Sequence, residues 1–278
     1  MTALELTLVL GVASAAAGFL GSLTGLGGGV VIVPLLTLGL GVDLRYAIGA
    51  SLVSVIATSS AAGAVYVEDG YSNIRVGMLL EVGTTLGAVG GALLATVLPV
   101  SITAIVFGGV LLGSAYLSLR RGTQAEPETS ADALATRLHM DSSYPTPAGP
   151  HTYHVTRVPQ GCAVMFVAGS VSGLLGIGSG ALKVLALDQI MRLPFKVSTA
   201  TSNFMIGVTA AASAGFYLSR GYIDPALSMP VMLGVVAGAS LGSRVLVAAK
   251  PENLRRLFVI VLIALGLQMI YHGLAGYF

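Results

Sequence analysis

Two glycine-rich stretches and one lysine carry the chemistry this chain could perform. Leu23–Gly29 reads LTGLGGG and Leu174–Gly180 reads LLGIGSG, an offset of 151 residues, and each leads into a short apolar run (29–41 and 180–191). Gly25, Gly27, Gly28 and Gly29, with Gly176, Gly178, Ser179 and Gly180 in the copy, let the main chain take shapes closed to other residues and let a bound group approach it closely. N–H groups freed where a helix restarts after such a break are donors for an anion, and the helix dipole favours one there. Lys183 follows Gly180 by three positions, while its counterpart in the first repeat is Ile32. An ammonium inside an apolar segment is expensive and marks a functional candidate. The stretch STATSN at Ser198–Asn203 adds neutral donors, with Thr199, Ser202 and Asn203 near one helix face and Thr201 beside them. The expected site therefore holds a small anion between the two turns, on backbone N–H groups, Lys183, Thr201, Ser202 and Asn203. Each feature also has a plainer reading. Small residues permit tight helix contacts, a lysine can snorkel or pair with a carboxylate, and Ser and Thr bond back to their own helix.

Other chemistry-bearing residues are sparse. Glu81 lies inside the fourth apolar segment and Arg244 near the end of the ninth, at similar depth, which makes them candidates for a gating ion pair; Glu81 and Asp188 are also candidates for proton exchange. The only thiol, Cys162, excludes an intramolecular disulfide and a cysteine-rich metal or iron–sulfur site. His151 and His154 have a metal-like spacing without neighbouring cysteines, and no metal or cofactor is expected. A hydrolase built on Ser179 would need a base within reach, and the only histidine inside the apolar segments is His272 near the far end. The chain does not read as an enzyme.

Positioning these residues falls to a membrane architecture. The composition is 55% hydrophobic and 9% charged, against roughly 25% charged in soluble domains. Uncharged stretches such as Ser101–Leu119 are long enough, or nearly so, to cross about 30 Å of hydrocarbon. The 151-residue offset persists without a gap from the glycine turns through Ser51/Ser202, Tyr66/Tyr217, Gly70–Tyr71/Gly221–Tyr222 and the spaced glycines Gly83, Gly87, Gly91 and Gly234, Gly238, Gly242. The spaced glycines read as scaffold, lying on one helix face where backbones pack closely. Apolar runs give five segments per half: 4–23, 29–41, 46–67, 76–98 and 101–119, then 160–175, 180–191, 197–218, 226–248 and 253–276. The first has no basic n-region and leads straight into the repeat, so it reads as a retained helix rather than a leader. The domains are a first transmembrane repeat (1–121), a polar cytoplasmic loop (122–157) and a second transmembrane repeat (158–278).

Orientation follows from Lys and Arg. If each glycine stretch turns a hairpin, Arg75, Arg120, Arg121, Arg137, Arg157, Arg192, Lys196, Lys250, Arg255 and Arg256 share one side, and Arg45 and Arg220 take the other. If each stretch merely kinks one long helix, the same residues divide evenly. The positive-inside bias favours hairpins. The expected fold is thus an all-α polytopic membrane protein of two inverted-topology repeats, with broken hairpins meeting near the midplane. Both termini lie outside, in a plasma (inner) membrane. This layout points to a secondary transporter that rocks one repeat against the other, driven by a proton or other ion gradient or by the substrate's own gradient, since nothing resembles a nucleotide-binding motif. The alternative is a membrane binding or scaffold protein without transport. Nothing points to nucleic acid, the lipid bilayer is the surroundings, and the oligomeric state is open.

The pair LTGLGGG…VP, ending at Pro34, and LLGIGSGALKV, followed by KVSTATSNFMIGVTAAASAG, resembles the sulfite exporter TauE/SafE family of membrane permeases. The resemblance covers both repeats. It implies a permease for small sulfur oxyanions or organosulfonates such as sulfite or sulfoacetate. It carries over Gly25, Gly27, Gly28, Gly29, Gly176, Gly178 and Gly180. Ser179 stands where the family's second turn more often has glycine, and Leu185 stands opposite Pro34.

Overall fold

The structure, a computed structural model, describes residues 3–94, 99–120, 132–146, 149–175 and 179–275. Gly176 and Gly178 of the second turn, and Arg121, lie outside the described residues. The first half runs α1 (Ala3–Thr24), α2 (Gly29–Pro34) continued by a π turn at Leu35–Gly39, α3 (Leu44–Glu68), α4 (Ile74–Leu94) and α5 (Val100–Arg120). Then come α6 (Ala133–Arg137) and a hairpin of β1 (Ser142–Thr146) and β2 (Gly149–Tyr153). The second half runs α7 (Val158–Leu175), α8 (Gly180–Leu185) continued by a π turn at Ala186–Ile190, α9 (Phe195–Ser219), α10 (Pro225–Ala248) and α11 (Pro251–Ala275).

The sequence repeat is also a repeat of local hydrogen bonds. Asn73 caps α4 by accepting from the Val76 N–H (3.1 Å), and its repeat counterpart Asp224 caps α10 by accepting from the Ala226 N–H (2.8 Å), each satisfying an N–H left free at a helix start. Asp43 caps α3 by accepting from the Arg45 N–H (2.9 Å), where the second half has Pro194. Helices α3 and α9 close alike. Tyr71 N–H donates to the Tyr66 carbonyl (2.9 Å) and Tyr222 N–H to Tyr217 (3.0 Å), with Gly70 and Gly221 both at φ +74°, the left-handed residue this helix end requires. The two π turns fall at equivalent positions. So do the bonds that follow them, Val42 N–H to the Leu36 carbonyl and Leu193 N–H to Leu187, both 3.0 Å.

The first glycine stretch turns the chain back. Gly25, Gly27 and Gly28 have φ of +75°, +78° and +71°. A methyl on Gly28 would lie 3.1 Å from the Ala17 carbonyl oxygen, a residue far down α1, so α2 returns beside α1 rather than prolonging it. Leu10 and Ala17 of α1 share one apolar cluster with Ile32 and Leu36.

Pairing then crosses between the halves. Helix α1 packs on α10 and its counterpart α7 packs on α4, while α3 meets α9 and α5 meets α11. At the crossed pairs glycine permits backbone contact. Gly91 abuts the Ser170 carbonyl of α7, and Gly238 abuts the Ala15 carbonyl of α1. Among the described residues, Thr7–Thr24, Leu44–Glu68, Ile74–Leu94, Pro225–Leu246 and Glu252–Ala275 are long and apolar enough to cross a membrane. Helix α9 is as long but carries the polar STATSN stretch. This is an all-α polytopic membrane protein, with one small two-stranded sheet added between its halves.

That sheet is where the structure departs from the expected polar loop. Its described part is folded into a cap. Ala135, Met140, Tyr153 and Val155 are buried in one cluster with Val76 and Leu80 of α4, Met165 of α7 and Val197 of α9. Asn73 is the fastening. Its amide donates to the Met140 carbonyl (2.8 Å) and the Tyr153 hydroxyl (2.9 Å), and its Oδ1 accepts from the Val76 N–H (3.1 Å). Burial pushes the Tyr153 hydroxyl up to about 12, so it stays neutral at physiological pH. Asn73→Ala removes a helix cap and strands two acceptors in the cap, which is expected to destabilise the cap by about 1–3 kcal/mol. Limited proteolysis should then cut within 132–157 faster, with the contact of α1 and α10 unchanged. Wild-type cleavage rates in that segment would show that the fastening is elsewhere.

Candidate functional site

Breaking α1 at Gly25 leaves its last carbonyls without intrahelical partners, and second-half side chains supply them. Asn203 Nδ2 donates to the Ser22 carbonyl (2.9 Å), which also accepts from the Tyr66 hydroxyl (3.0 Å). Ser202 Oγ donates to the Gly25 carbonyl (2.9 Å) and reaches the Gly180 carbonyl at 3.4 Å. Its repeat counterpart, Ser51, donates to the Gly29 carbonyl (3.2 Å). The two glycine turns touch. A methyl on Gly180 would collide with the Gly25 carbonyl and come within 2.6 Å of the Leu26 Cα, and one on Gly25 would meet the Val184 side chain at 2.7 Å.

Around this junction three buried polar atoms have no hydrogen-bond partner among the described residues: Ser179 Oγ, Thr199 Oγ1 and Asn203 Oδ1. Orphaned buried groups are rare because each one carries a desolvation penalty. Of the expected polar set, Ser202 and Asn203 thus face the turns, chiefly as caps for the broken helix. Thr201 points elsewhere, accepting from the Asn73 N–H (3.0 Å).

Lys183 is fully buried and donates from Nζ to Glu81 Oε2 (2.9 Å) and to Thr209 Oγ1 (2.6 Å). Thr209 in turn donates to Glu81 Oε1. The ammonium is therefore held by a carboxylate on α4 rather than left free at the turn. Lys183 itself lies one turn into α8 from the glycine turn, its backbone N–H donating to the Ser179 carbonyl at 2.8 Å. The expected pairing of Glu81 with Arg244 is corrected. Lys183 occupies Glu81, and Arg244 sits on an exposed face of α10. Similar depth along the helices suggested Arg244, but Lys183 of α8 reaches both Glu81 of α4 and Thr209 of α9.

Asp188 is buried in the second π turn and accepts from Gln189 (2.6 Å), apart from Lys183. His154 meets Asp141 at 3.0 Å and His151 stacks on Tyr144 in the cap. Thr209 and Asn73 are the contributors that sequence reasoning missed. A hydroxyl deep in α9 at the repeat position of Thr58 was the available signal for the first; nothing local marked the second.

The outline above matches one family over almost the whole chain: the model of the sulfite exporter TauE/SafE aligns with residues 10–269. The chain belongs to the sulfite exporter TauE/SafE family. Among TauE/SafE relatives, the probable membrane transporter protein YunE of Bacillus subtilis (strain 168) is 30% identical, covering 93% of this chain and 95% of its own. A probable membrane transporter protein of Xylella fastidiosa (strain 9a5c) is 26% identical over 93% of each chain. The probable membrane transporter protein MJ0441 of Methanocaldococcus jannaschii is 23% identical over 91% of each. No solved structure matches the chain. This TauE/SafE member is a membrane transporter.

Proposed function

We propose that this transporter moves a small anion, a sulfur oxyanion or organosulfonate such as sulfite or sulfoacetate, across the plasma membrane by alternating access. The observation that carries the reading is the junction of the two glycine turns, with the unpartnered Ser179 and Thr199 hydroxyls beside it. Hydroxyl donors suit the spread charge of an oxyanion, and irregular backbone inside a membrane is retained where it lines a site. The returning hairpin at Gly25–Gly28 supports inverted repeats. With a hairpin, each half makes an odd number of crossings, and the basic residues collect on one side. That side is the cytoplasm, and the termini lie outside.

The test is thermal unfolding of purified protein with sulfite, sulfate, thiosulfate, sulfoacetate, taurine and a carboxylate control. A ligand at 100 times its Kd stabilises the folded state by about 2.7 kcal/mol. One sulfur anion is expected to raise the melting temperature of wild type, and Thr199→Val, which removes the hydroxyl at nearly constant volume, should lose most of that shift. A shift undiminished in Thr199→Val would place the anion elsewhere, and no shift with any sulfur anion would remove the substrate class.

A further inference from the structure

The 151-residue offset compares the charged triad with its own counterpart. Lys183 corresponds to Ile32, Glu81 to Met232 and Thr209 to Thr58. Ile32 is buried, and Met232 packs in the same apolar cluster. The equivalent junction of α2, α3 and α10 is therefore closed without a charge, by Ile32 and Met232, with the Thr58 hydroxyl bonded back to the Ser54 carbonyl of its own helix. The architecture does not require an ion pair there. A buried pair is moreover weak as a stabiliser, because desolvation offsets the attraction. Placing both charges at one of the two equivalent junctions only, beside the turn with the unpartnered hydroxyls, is a functional asymmetry.

We infer that Glu81 yields its place on Lys183 to the transported anion and takes up a proton as it does so, which couples transport to the proton gradient. The inference rests on the anion site proposed above. Resting, the site holds one ammonium and one carboxylate. An anion arriving at Lys183, one helical turn from Ser179, adds a second negative charge in a space from which water is excluded. A buried carboxylate without its partner is strongly disfavoured, so the carboxylate becomes a carboxylic acid with a proton drawn from the aqueous side to which the site is open. Net charge at the site stays unchanged for a monoanion and becomes one unit more negative for a dianion. Thr209, hydrogen-bonded to both Glu81 and Lys183, is placed to hold the acid form by accepting a hydrogen bond from its O–H. Other titratable or charged groups on the elements packed against α4 and α8 are Cys162 on α7, Lys196 and Tyr217 on α9, Tyr116 and Arg120 on α5, Asp188, and Arg137, Tyr144, His151 and Tyr153 in the cap. Arg75, on α4 itself, donates to the His139 carbonyl in the cap.

Proteoliposomes separate the two claims. Counterflow of labelled sulfoacetate, thiosulfate or sulfate needs no proton gradient. Accumulation with the outside one pH unit more acid and the voltage clamped at zero does, and reaches about tenfold per coupled proton, since a pH unit is worth about 1.36 kcal/mol. Wild type is expected to show both, and in Glu81→Gln the accumulation, scaled to the counterflow measured in the same vesicles, should fall about tenfold. Anion binding by purified wild type should also take up about one proton from weakly buffered solution. The double variant Glu81→Met, Lys183→Ile copies the apolar half, stays folded, and should take up none. Absence of wild-type counterflow with every probe overturns the transport reading and this inference with it. Counterflow without gradient-driven accumulation or proton uptake overturns the coupling alone. Undiminished accumulation in Glu81→Gln, or unchanged proton uptake in the double variant, removes Glu81 as the group.

Discussion

Glu81→Met is expected to lower the stability of the folded protein by about 3–5 kcal/mol, as is Lys183→Ile, whereas the two combined should change it by less than about 1 kcal/mol or raise it. Glu81→Met alone leaves the Lys183 ammonium, which has no exposure to solvent, with only the Thr209 hydroxyl of its two partners. The double change removes both charges and installs the residue types that already fill the equivalent junction at Ile32 and Met232. Their non-additivity isolates the pair, because contacting residues fail to add where distant ones do. The same reasoning alters what Lys183→Ala should do. From sequence the lysine appears as a free anion ligand whose loss spares expression; in the structure its loss strands Glu81, so yield and melting temperature should fall together with binding. Apparent unfolding temperatures of the two single variants and the double in one detergent provide the check. A double variant as unstable as either single one would mean that the pair contributes through something other than mutual neutralisation.

Gly180→Ala is expected to abolish the folded protein or cut its yield severely. The added methyl meets the Gly25 carbonyl and the Leu26 Cα at 2.6 Å, both backbone atoms of the facing turn, so no side chain can swing aside. Relief requires the turns to separate, which would also stretch the Ser202 bond to Gly25. Overpacking a tight interior ordinarily costs about 1–3 kcal/mol, and contact with two fixed backbone atoms belongs at or above the top of that range. Gly215→Ala is the matched control. That glycine lies inside α9 with nothing within 4 Å of the added methyl, so helix propensity alone should make it neutral or stabilising by about 0.5–1 kcal/mol. Detergent-solubilised yield by size-exclusion chromatography, with the melting temperature, measures both. A Gly180→Ala protein that melts with wild type would show that the turns do not press on each other.

Much of this fold is written in punctuation. Gly70 and Gly221 end helices, Asp43 and Asp224 start them, and the glycine turns break them, so segment limits read from sequence fall close to those of the helices. These are local signals, each acting through its own backbone. The polar junction was legible in part for the same reason, since Ser202 and Asn203 lie on one face of one helix. What escaped was contact across the chain. Lys183 and Glu81 are separated by 102 residues and belong to opposite halves, and no periodicity links them. Their shared mark was comparative, two charges whose repeat counterparts are both apolar, and it becomes readable once the offset is applied residue by residue. The cap escaped because its stability comes from burying Met140, Tyr153 and Val155 against helices supplied by both halves, while its own composition resembles a linker.

The exchange of partners between α1 and α10 and between α7 and α4 has a consequence for how such a molecule is made. A ribosome that has finished the first half has produced α1 and α4 but neither of the helices they clasp, so that half emerges with two glycine-lined backbone faces bare to lipid. Severed within 122–131, the two fragments would be obligate partners, each incomplete until the other is inserted. What duplication copied is therefore a chain segment, and what the membrane holds as a stable object is the interlocked pair.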